Sequence, residues 1–387
     1  MVPLVQASLS DRDSQLQGYI VVDSLVAGRA MGGLRMTADV TAAELARLAR
    51  QMTMKLALAG LPIGGAKGGI VSDLPPGEAR DRVLRSFGKI AAPLLNGGIY
   101  LGSDQGISYG DRNMMLAAAG YEISQDEKDR TLPCSWAELW SRCYEITGFG
   151  IAEATSAVLP AAHSPGPAVV IQGFGTVGRG AAIHLAGRGY RIVAVADRLG
   201  MVSRAGGLPV EALLAATDPA GLIDRAALPA DVVLAGTAEA WLDVPADILV
   251  LAAGGAALRT DNVGRVQATC VVEGANHPCD ETALQALADR GITVVPGIVA
   301  NAGGAIATGL VLTGQAPPAN DPDALAVGLH EEVRSRIRAA FDLVGERAAA
   351  EKTSLPRAAP LVAAERVAAL HGVDGAGQLN DQFDLIT

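Results

Sequence analysis

Residues 168–197 read AVVIQGFGTVGRGAAIHLAGRGYRIVAVAD. Ala168 to Ile171 is a continuous apolar run of the kind buried on both faces of a parallel sheet. It enters Gly173-Phe174-Gly175-Thr176-Val177-Gly178, then an alanine-rich helix ending at Gly187, then a second strand from Arg191 to Ala196 closed by Asp197. Strand, G-x-G-x-x-G, helix, strand and acid, in that order, form the dinucleotide-binding fingerprint in the context it requires. Gly173 allows the tight turn, Gly175 lets the backbone reach a pyrophosphate, and Gly178 lets helix and strand pack. The phosphates rest on the helix N-terminus. Asp197 is expected to bond the ribose 2′-hydroxyl and to repel a 2′-phosphate, which favours NAD. Arg198, directly after it, can receive that phosphate, so NADP stays open.

Outward from this unit, the same grammar continues. Val232-Val233-Leu234, Ile248 to Leu251, Cys270 to Val272 and Thr293 to Val295 are short apolar runs separated by helical or loop sequence. A doubly wound α/β sheet requires that pattern. The loops after these strands carry Ala253, Gly254, Asn276 and Asn301, which are expected to line the edge where the cofactor lies. Asn301 to Gly304 opens an apolar helix to Leu312, and helices follow over 324–345 and 361–370. On the N-terminal side, a helix over 151–159 ends in the joint His163-Ser164-Pro165-Gly166-Pro167.

The second informative stretch, TAAELARLARQMTMKLALAGLPIGGAKGGIVSD, runs from Thr41 to Asp73. Thr41 with Glu44 makes a capping box, and Gly60 sits where a left-handed C-terminal residue is wanted. Leu45, Leu48, Met52 and Leu56 recur at helical steps, so one face is buried. Lys55 lies in the last turn, where a cation suits the helix dipole. Four glycines then surround Lys67, at Gly64, Gly65, Gly68 and Gly69. So much glycine points to close approach of backbone and ligand. A strand over 18–25 leads to Gly32-Gly33, Gly69 to Val71 returns as a short strand, and a helix follows over 79–95. The strand Ile99 to Leu101 delivers Asp104 between glycines. That position suits a functional carboxylate, and equally a turn aspartate bonding its own backbone.

With 387 residues, the chain is too long for one ordinary core. The reading is a first α/β domain over 1–146, to which 345–387 returns, and a dinucleotide domain over 147–344. The net charge of −10 argues against a nucleic-acid or anionic-membrane partner. No basic segment precedes an apolar run at the start, and the most apolar stretch, Ile248 to Leu258, is too short to span a bilayer. Cys134, Cys143, Cys270 and Cys279 show no C-x-x-C spacing, so reduced thiols in a cytoplasmic protein are expected and no metal site is.

Taken together, these motifs resemble the amino-acid dehydrogenase superfamily of glutamate, leucine, phenylalanine and valine dehydrogenases. The resemblance spans nearly the whole chain. It rests on GGLRM at Gly32, MTMKLALAGLPIGGAKGG at Met52, GSDQG around Asp104, QGFGTVG at Gln172, EGAN at Glu273 and NAGG at Asn301. The short segment before GGLRM looks more like the leucine/phenylalanine branch, whereas GLPIGGAKGG looks more like the glutamate branch. The resemblance implies that Lys55, with backbone at Gly33, holds the substrate α-carboxylate. It implies that Lys67 is the catalytic base and that Asp104 shuttles protons to and from the amino group. A lysine base calls for a depressed pKa, which apolar burial beside a second ammonium favours.

The resemblance also implies that the substrate is an amino acid, or its 2-oxo acid with ammonium, and that the assembly is a homo-oligomer. Where glutamate dehydrogenases place a lysine before the glycine pair, this chain has Met31. By similarity Met31, Met52, Ala305 and Thr308 line the side-chain pocket, which implies a neutral aliphatic or aromatic side chain. The family's D-V-G-T reads D-Q-G-I-S here, and its later P-D reads Pro296-Gly297. Both departures point to an unusual specificity, as in a biosynthetic enzyme for an uncommon amino acid, or to reduced activity. A catalytically silent nucleotide binder is the third reading, and Lys55, Lys67 and Asp104 together weigh against it.

Overall fold

The computed structural model describes residues 2–121, 132–161, 165–237 and 239–371. His163 and Ser164 of the expected joint, and everything after 371, lie outside the described residues. The chain divides into two compact units. The first comprises Met1–Leu139, Ala305–Gly328 and Ala363–Thr387; the second comprises Trp140–Gly304 and Leu329–Val362. Among the described residues, no helix is long and apolar enough to cross a membrane.

The first unit is built on strands β1 (Val5–Asp11), β2 (Leu16–Val22), β3 (Ala30–Thr37), β4 (Gly64–Val71) and β5 (Ile99–Ser103), in the order β1-β2-β4-β3-β5. β2 runs antiparallel to β1 and β4, and β3 runs parallel to β4 and β5. Its helices are α1 (Ala42–Leu58), α2 (Glu78–Leu95) and α3 (Tyr109–Ala118). Thr41 Oγ1 accepts the backbone N–H of Glu44, and Gly60 takes φ +69°. The expected capping box is only half formed, because the Glu44 carboxylate bonds Arg35 instead of returning to Thr41. Leu45, Leu48 and Leu56 are buried and Met52 half-buried.

The strand expected to begin at Gly69 begins at Gly64, so all four glycines around Lys67 lie inside β4. A Cβ at Gly65 would stand 2.3 Å from Thr53 N, and one at Gly69 2.6 Å from a Leu45 methyl, both on α1. A Cβ at Gly68 would meet Leu101 and Leu34 at 2.8 and 3.0 Å. Alternation puts Gly65, Lys67 and Gly69 on the face that α1 covers. The glycines let a helix press against a central strand.

The second unit holds β6 (Ala168–Gln172), β7 (Arg191–Asp197), β8 (Gly200–Ser203), β9 (Val233–Ala235), β10 (Ile248–Leu251), β11 (Cys270–Glu273) and β12 (Thr293–Val295), ordered β12-β11-β10-β6-β7-β8-β9. From β12 to β7 the strands are parallel, and successive crossovers move outward in opposite directions on either side of β6. This is the Rossmann-like arrangement, whose ligands bind outside the carboxyl ends of the strands near that reversal. The Val232–Leu234 run was expected as a further buried strand of the parallel sheet. Its strand, β9, is instead an antiparallel edge, with Val233 62% and Leu234 54% exposed.

Later in the chain, the described helices are α4 (Trp136–Arg142), α5 (Ile146–Val158), α6 (Thr176–Ala186), α7 (Val210–Ala215), α8 (Glu281–Asp289), α9 (Gly297–Ala300), α10 (Gly303–Leu312), α11 (Pro322–Glu351) and α12 (Leu355–His371). α12 begins before Pro356 and Pro360 rather than after them. Pro356 falls in the first turn, where a missing N–H leaves no helical bond unmade.

Candidate active site

In the first unit, β3 and β5 pair so that Gly33 stands opposite Gly102, two residues before Asp104. Asp104 Oδ2 lies 2.7 Å from Lys67 Nζ on β4 and 3.6 Å from Arg35 Nε on β3. A Cβ at Gly33 would stand 2.8 Å from the Asp104 Cβ and 3.3 Å from Lys67 Nζ, so only glycine fits beside this pair. Gly33, Lys67 and Asp104, three residues singled out in the sequence, therefore meet. Burial pushes the Asp104 carboxyl up, but the charges of Lys67 and then Arg35, with the Lys67 hydrogen bond, outweigh it and bring it down to about 2. At neutral pH Asp104 is a carboxylate, the acceptor that a buried ammonium requires.

Lys55 and Lys67 are each only 6% exposed. Lys55 sits in the last turn of α1. Met52, Ala305 and Thr308 are half-buried, the last two on α10. Next to Thr308, a Cβ at Gly309 would meet Leu61 at 2.8 Å, Leu56 at 3.4 Å and the Met31 sulfur at 3.6 Å. Met31 itself is 3% exposed. It belongs to an apolar cluster with α10.

In the second unit, the glycine loop shows three different environments. Gly173 takes φ +93°, and a Cβ there would strike Ala253 at 2.6 Å. A Cβ at Gly178 would lie 2.0 Å from Gly173 O. Around Gly175, nothing lies within 4 Å of the Cβ position. Two glycines are thus demanded by the turn and its packing, and the middle one leaves open space at the N-terminus of α6. That space suits the close approach of a pyrophosphate, as do the unpaired amides of the first helical turn. Phe174, Thr176 and Val177 complete the loop and first turn.

Backbone bonds gather the other expected residues on the same sheet edge. Gly173 N donates to Ala196 O, next to Asp197. Ala252 N and Ala253 N donate to the backbone and side chain of Gln172, which brings the Ala253-Gly254 loop alongside. Asn301 donates to Ala275 O at 2.9 Å, beside Asn276, and Gly297 N donates to the buried Glu273 carboxylate at 2.9 Å.

Asp197 is fully engaged. Its Oδ1 accepts from Leu199 N at 2.8 Å and Arg225 at 2.6 Å; its Oδ2 accepts from Ile223 N at 2.9 Å and Arg225 at 3.0 Å. Four donors fill the acceptor sites of a carboxylate. The side chain is 2% exposed, whereas Arg198 is exposed. Burial pushes the Asp197 carboxyl up, and the Arg225 bonds with the two amides bring it below its ordinary value.

Three residues of these clusters were not singled out in the sequence. Arg35 lies on the strand face of Gly33, two positions on, and the GGLRM motif contains it; strand alternation was the available signal. Arg225 and Gly221 come from a connection after α7. Gly221 takes φ +82°, and a Cβ there would stand 2.9 Å from Gly175 N. Neither position is tied to the fingerprint by any sequence periodicity.

Residues 141–375 match the family model described as glutamate/leucine/phenylalanine/valine dehydrogenase, and residues 4–121 match its dimerisation domain. The NADP(+)-dependent glutamate dehydrogenase of Pyrobaculum calidifontis is 35% identical over 308 residues, covering 75% of this chain and 70% of its own. The NAD-specific glutamate dehydrogenase A of Halobacterium salinarum is 29% identical over 374 residues, covering 92% and 82%. Among solved structures, the leucine-bound form of a hetero-hexameric glutamate dehydrogenase from Thermus thermophilus superposes with a TM-score of 0.80 at 28% identity, over 97% of this chain and 90% of that one. The chain belongs to the glutamate/leucine/phenylalanine/valine dehydrogenase family.

Proposed function

We propose that this amino-acid dehydrogenase catalyses the reversible, NAD(P)-dependent oxidative deamination of a neutral L-amino acid, aliphatic or aromatic, to its 2-oxo acid and ammonium. The nicotinamide, when bound, supplies the hydride acceptor. Lys55 binds the substrate α-carboxylate. In its unprotonated amine form Lys67 takes the proton of the water that adds to the imine, and Asp104, 2.7 Å from it, carries protons to and from the amino group. The balance is amino acid, water and oxidised coenzyme to oxo acid, ammonium, reduced coenzyme and a proton.

The observation that carries the neutral-substrate reading is Met31. It is buried, with its sulfur 3.6 Å from where a Cβ at Gly309 would stand, in the position where the resemblance puts a lysine for a side-chain carboxylate. A carboxylate facing a buried thioether would stand desolvated with no counter-charge. The test is Met31→Lys. Glutamate turnover is expected to rise at least roughly ten-fold relative to leucine, about 1.4 kcal/mol of differential binding. An unchanged ratio would sink the assignment.

For the coenzyme, the geometry supports either dinucleotide. The Asp197 carboxylate has its acceptor sites committed to Arg225, Leu199 and Ile223, leaving none for a ribose hydroxyl. Its charge against a 2′-phosphate is offset by Arg225, with Arg198 exposed beside it. The match of residues 4–121 to a dimerisation domain supports a homo-oligomer, and four free cysteines fit a reducing cytoplasm.

A further inference from the structure

Within the second unit, Glu145, His184 and His330 come from three different helical segments and converge. Glu145 is the residue before α5, His184 lies in the last turn of α6, and His330 lies on α11. Glu145 Oε1 stands 3.8 Å from His184 Nε2 and 3.4 Å from His330 Nε2, and the three ligand atoms lie within 4.8 Å of one another. At 3.8 Å the first contact is too long for a hydrogen bond. His184 Nε2 and Glu145 Oε2 are both buried without a hydrogen-bond partner, an arrangement that proteins avoid unless something else satisfies the groups.

The neighbours hold the three side chains in this arrangement. Phe149, one turn along α5, meets the edges of both imidazoles, at 5.1 Å from His184 and 4.8 Å from His330, with interplanar angles of 82° and 81°. α5 and α6 cross at backbone contact: a Cβ at Gly148 would lie 2.3 Å from Ala181 N. The nearby cations face another carboxylate. Arg188 and Arg334 flank Phe149 and, with Arg338, share the buried Glu153 carboxylate, at 2.5, 2.9 and 3.0 Å; Arg334 also pairs with Glu331.

We propose that Glu145, His184 and His330 form a binding site for a divalent late-transition-metal ion of the zinc, cobalt or nickel type, linking α5, α6 and α11. Two imidazole nitrogens and one carboxylate oxygen are ligands for such ions, while magnesium and calcium want oxygen alone. Bonds of roughly 2.0–2.1 Å would place tetrahedral ligand atoms about 3.3 Å apart. Side-chain movements of about an ångström or less reach that geometry from the distances observed. The remaining position is left to water. No cysteine takes part, and no catalytic role is assigned to the ion.

The test is titration of the purified full chain with Co²⁺, then Zn²⁺, with Mg²⁺ as control. Expected are saturable binding of one Co²⁺ with the visible bands of a tetrahedral nitrogen/oxygen site, displacement by Zn²⁺, a Zn²⁺-dependent rise in the unfolding midpoint, and no response to Mg²⁺. His184→Gln and His330→Gln are each expected to weaken binding roughly ten-fold or more, with circular dichroism and metal-free dehydrogenase activity unchanged. Absence of one-equivalent binding by the native chain would overturn the proposal, without bearing on the dehydrogenase reading. So would a thiolate charge-transfer band, or bands that persist in the double variant.

Discussion

At the scale of single residues, the roles proposed for Lys67 and Asp104 make chemistry separable from coenzyme binding. Lys67→Ala is expected to lower kcat by at least roughly 10²-fold, while the dissociation constant for the oxidised dinucleotide, measured by fluorescence titration, stays within about three-fold. Full turnover in that variant would remove Lys67 from the mechanism.

Asp104 carries a pH signature. Its carboxyl is near 2 in the folded chain against an ordinary 3.8, so its stabilising contribution is complete above about pH 4 and is lost as pH falls toward 2. Denaturant midpoints should therefore fall less steeply over that interval in Asp104→Asn than in the native chain. Parallel curves would contradict the pairing.

Arg225 bears on coenzyme choice. Arg225→Ala removes two of the four donors to Asp197 and leaves Leu199 N and Ile223 N in place. The ratio of kcat/KM for NAD over NADP should rise roughly ten-fold, about 1.4 kcal/mol. An unmoved ratio would mean that the clamp does not decide it.

At the scale of elements, glycine shows why sequence and structure agree in some places and part in others. The ends of α1 were legible because Thr41 and Gly60 act locally, through one hydrogen bond and one left-handed residue. β4 was legible only from Gly69 onward. Glycine is disfavoured in strands, and only the pressure of α1 at Thr53 and Leu45 makes it necessary there. β9 lies antiparallel at an edge and exposes two apolar side chains, so its composition imitates a central strand.

The fingerprint glycines make the contrast testable. Gly175→Ala meets nothing within 4 Å, so it should leave the unfolding midpoint unchanged while weakening dinucleotide binding. Gly178→Ala puts a methyl 2.0 Å from Gly173 O and should destabilise by roughly 1–3 kcal/mol. Equal thermal behaviour of the two variants would contradict the division of roles among the glycines.

At the scale of the whole molecule, the legible part of each cluster was the part written within one motif. Gly33, Lys67 and Asp104 lie in short words with distinctive spacing, and the strand order of the first unit brings them together. The partners that set their electrostatics, Arg35 and Arg225, act through tertiary contacts that no local period encodes. The Glu145–His184–His330 cluster was illegible for the same reason. Each histidine stands alone in the sequence, and only the close crossing of α5 with α6 and the length of α11 join them. Met31 is the opposite case, a single residue whose meaning comes from the motif next to it and whose burial agrees with an apolar role.

The most direct measurement is the initial rate of NAD and, separately, NADP reduction by the purified protein across a panel of L-amino acids that includes glutamate. A clear rate is expected with a neutral aliphatic or aromatic amino acid, with either coenzyme, and at most a trace with glutamate. Turnover of glutamate alone would leave the family assignment standing and contradict the reading built on Met31.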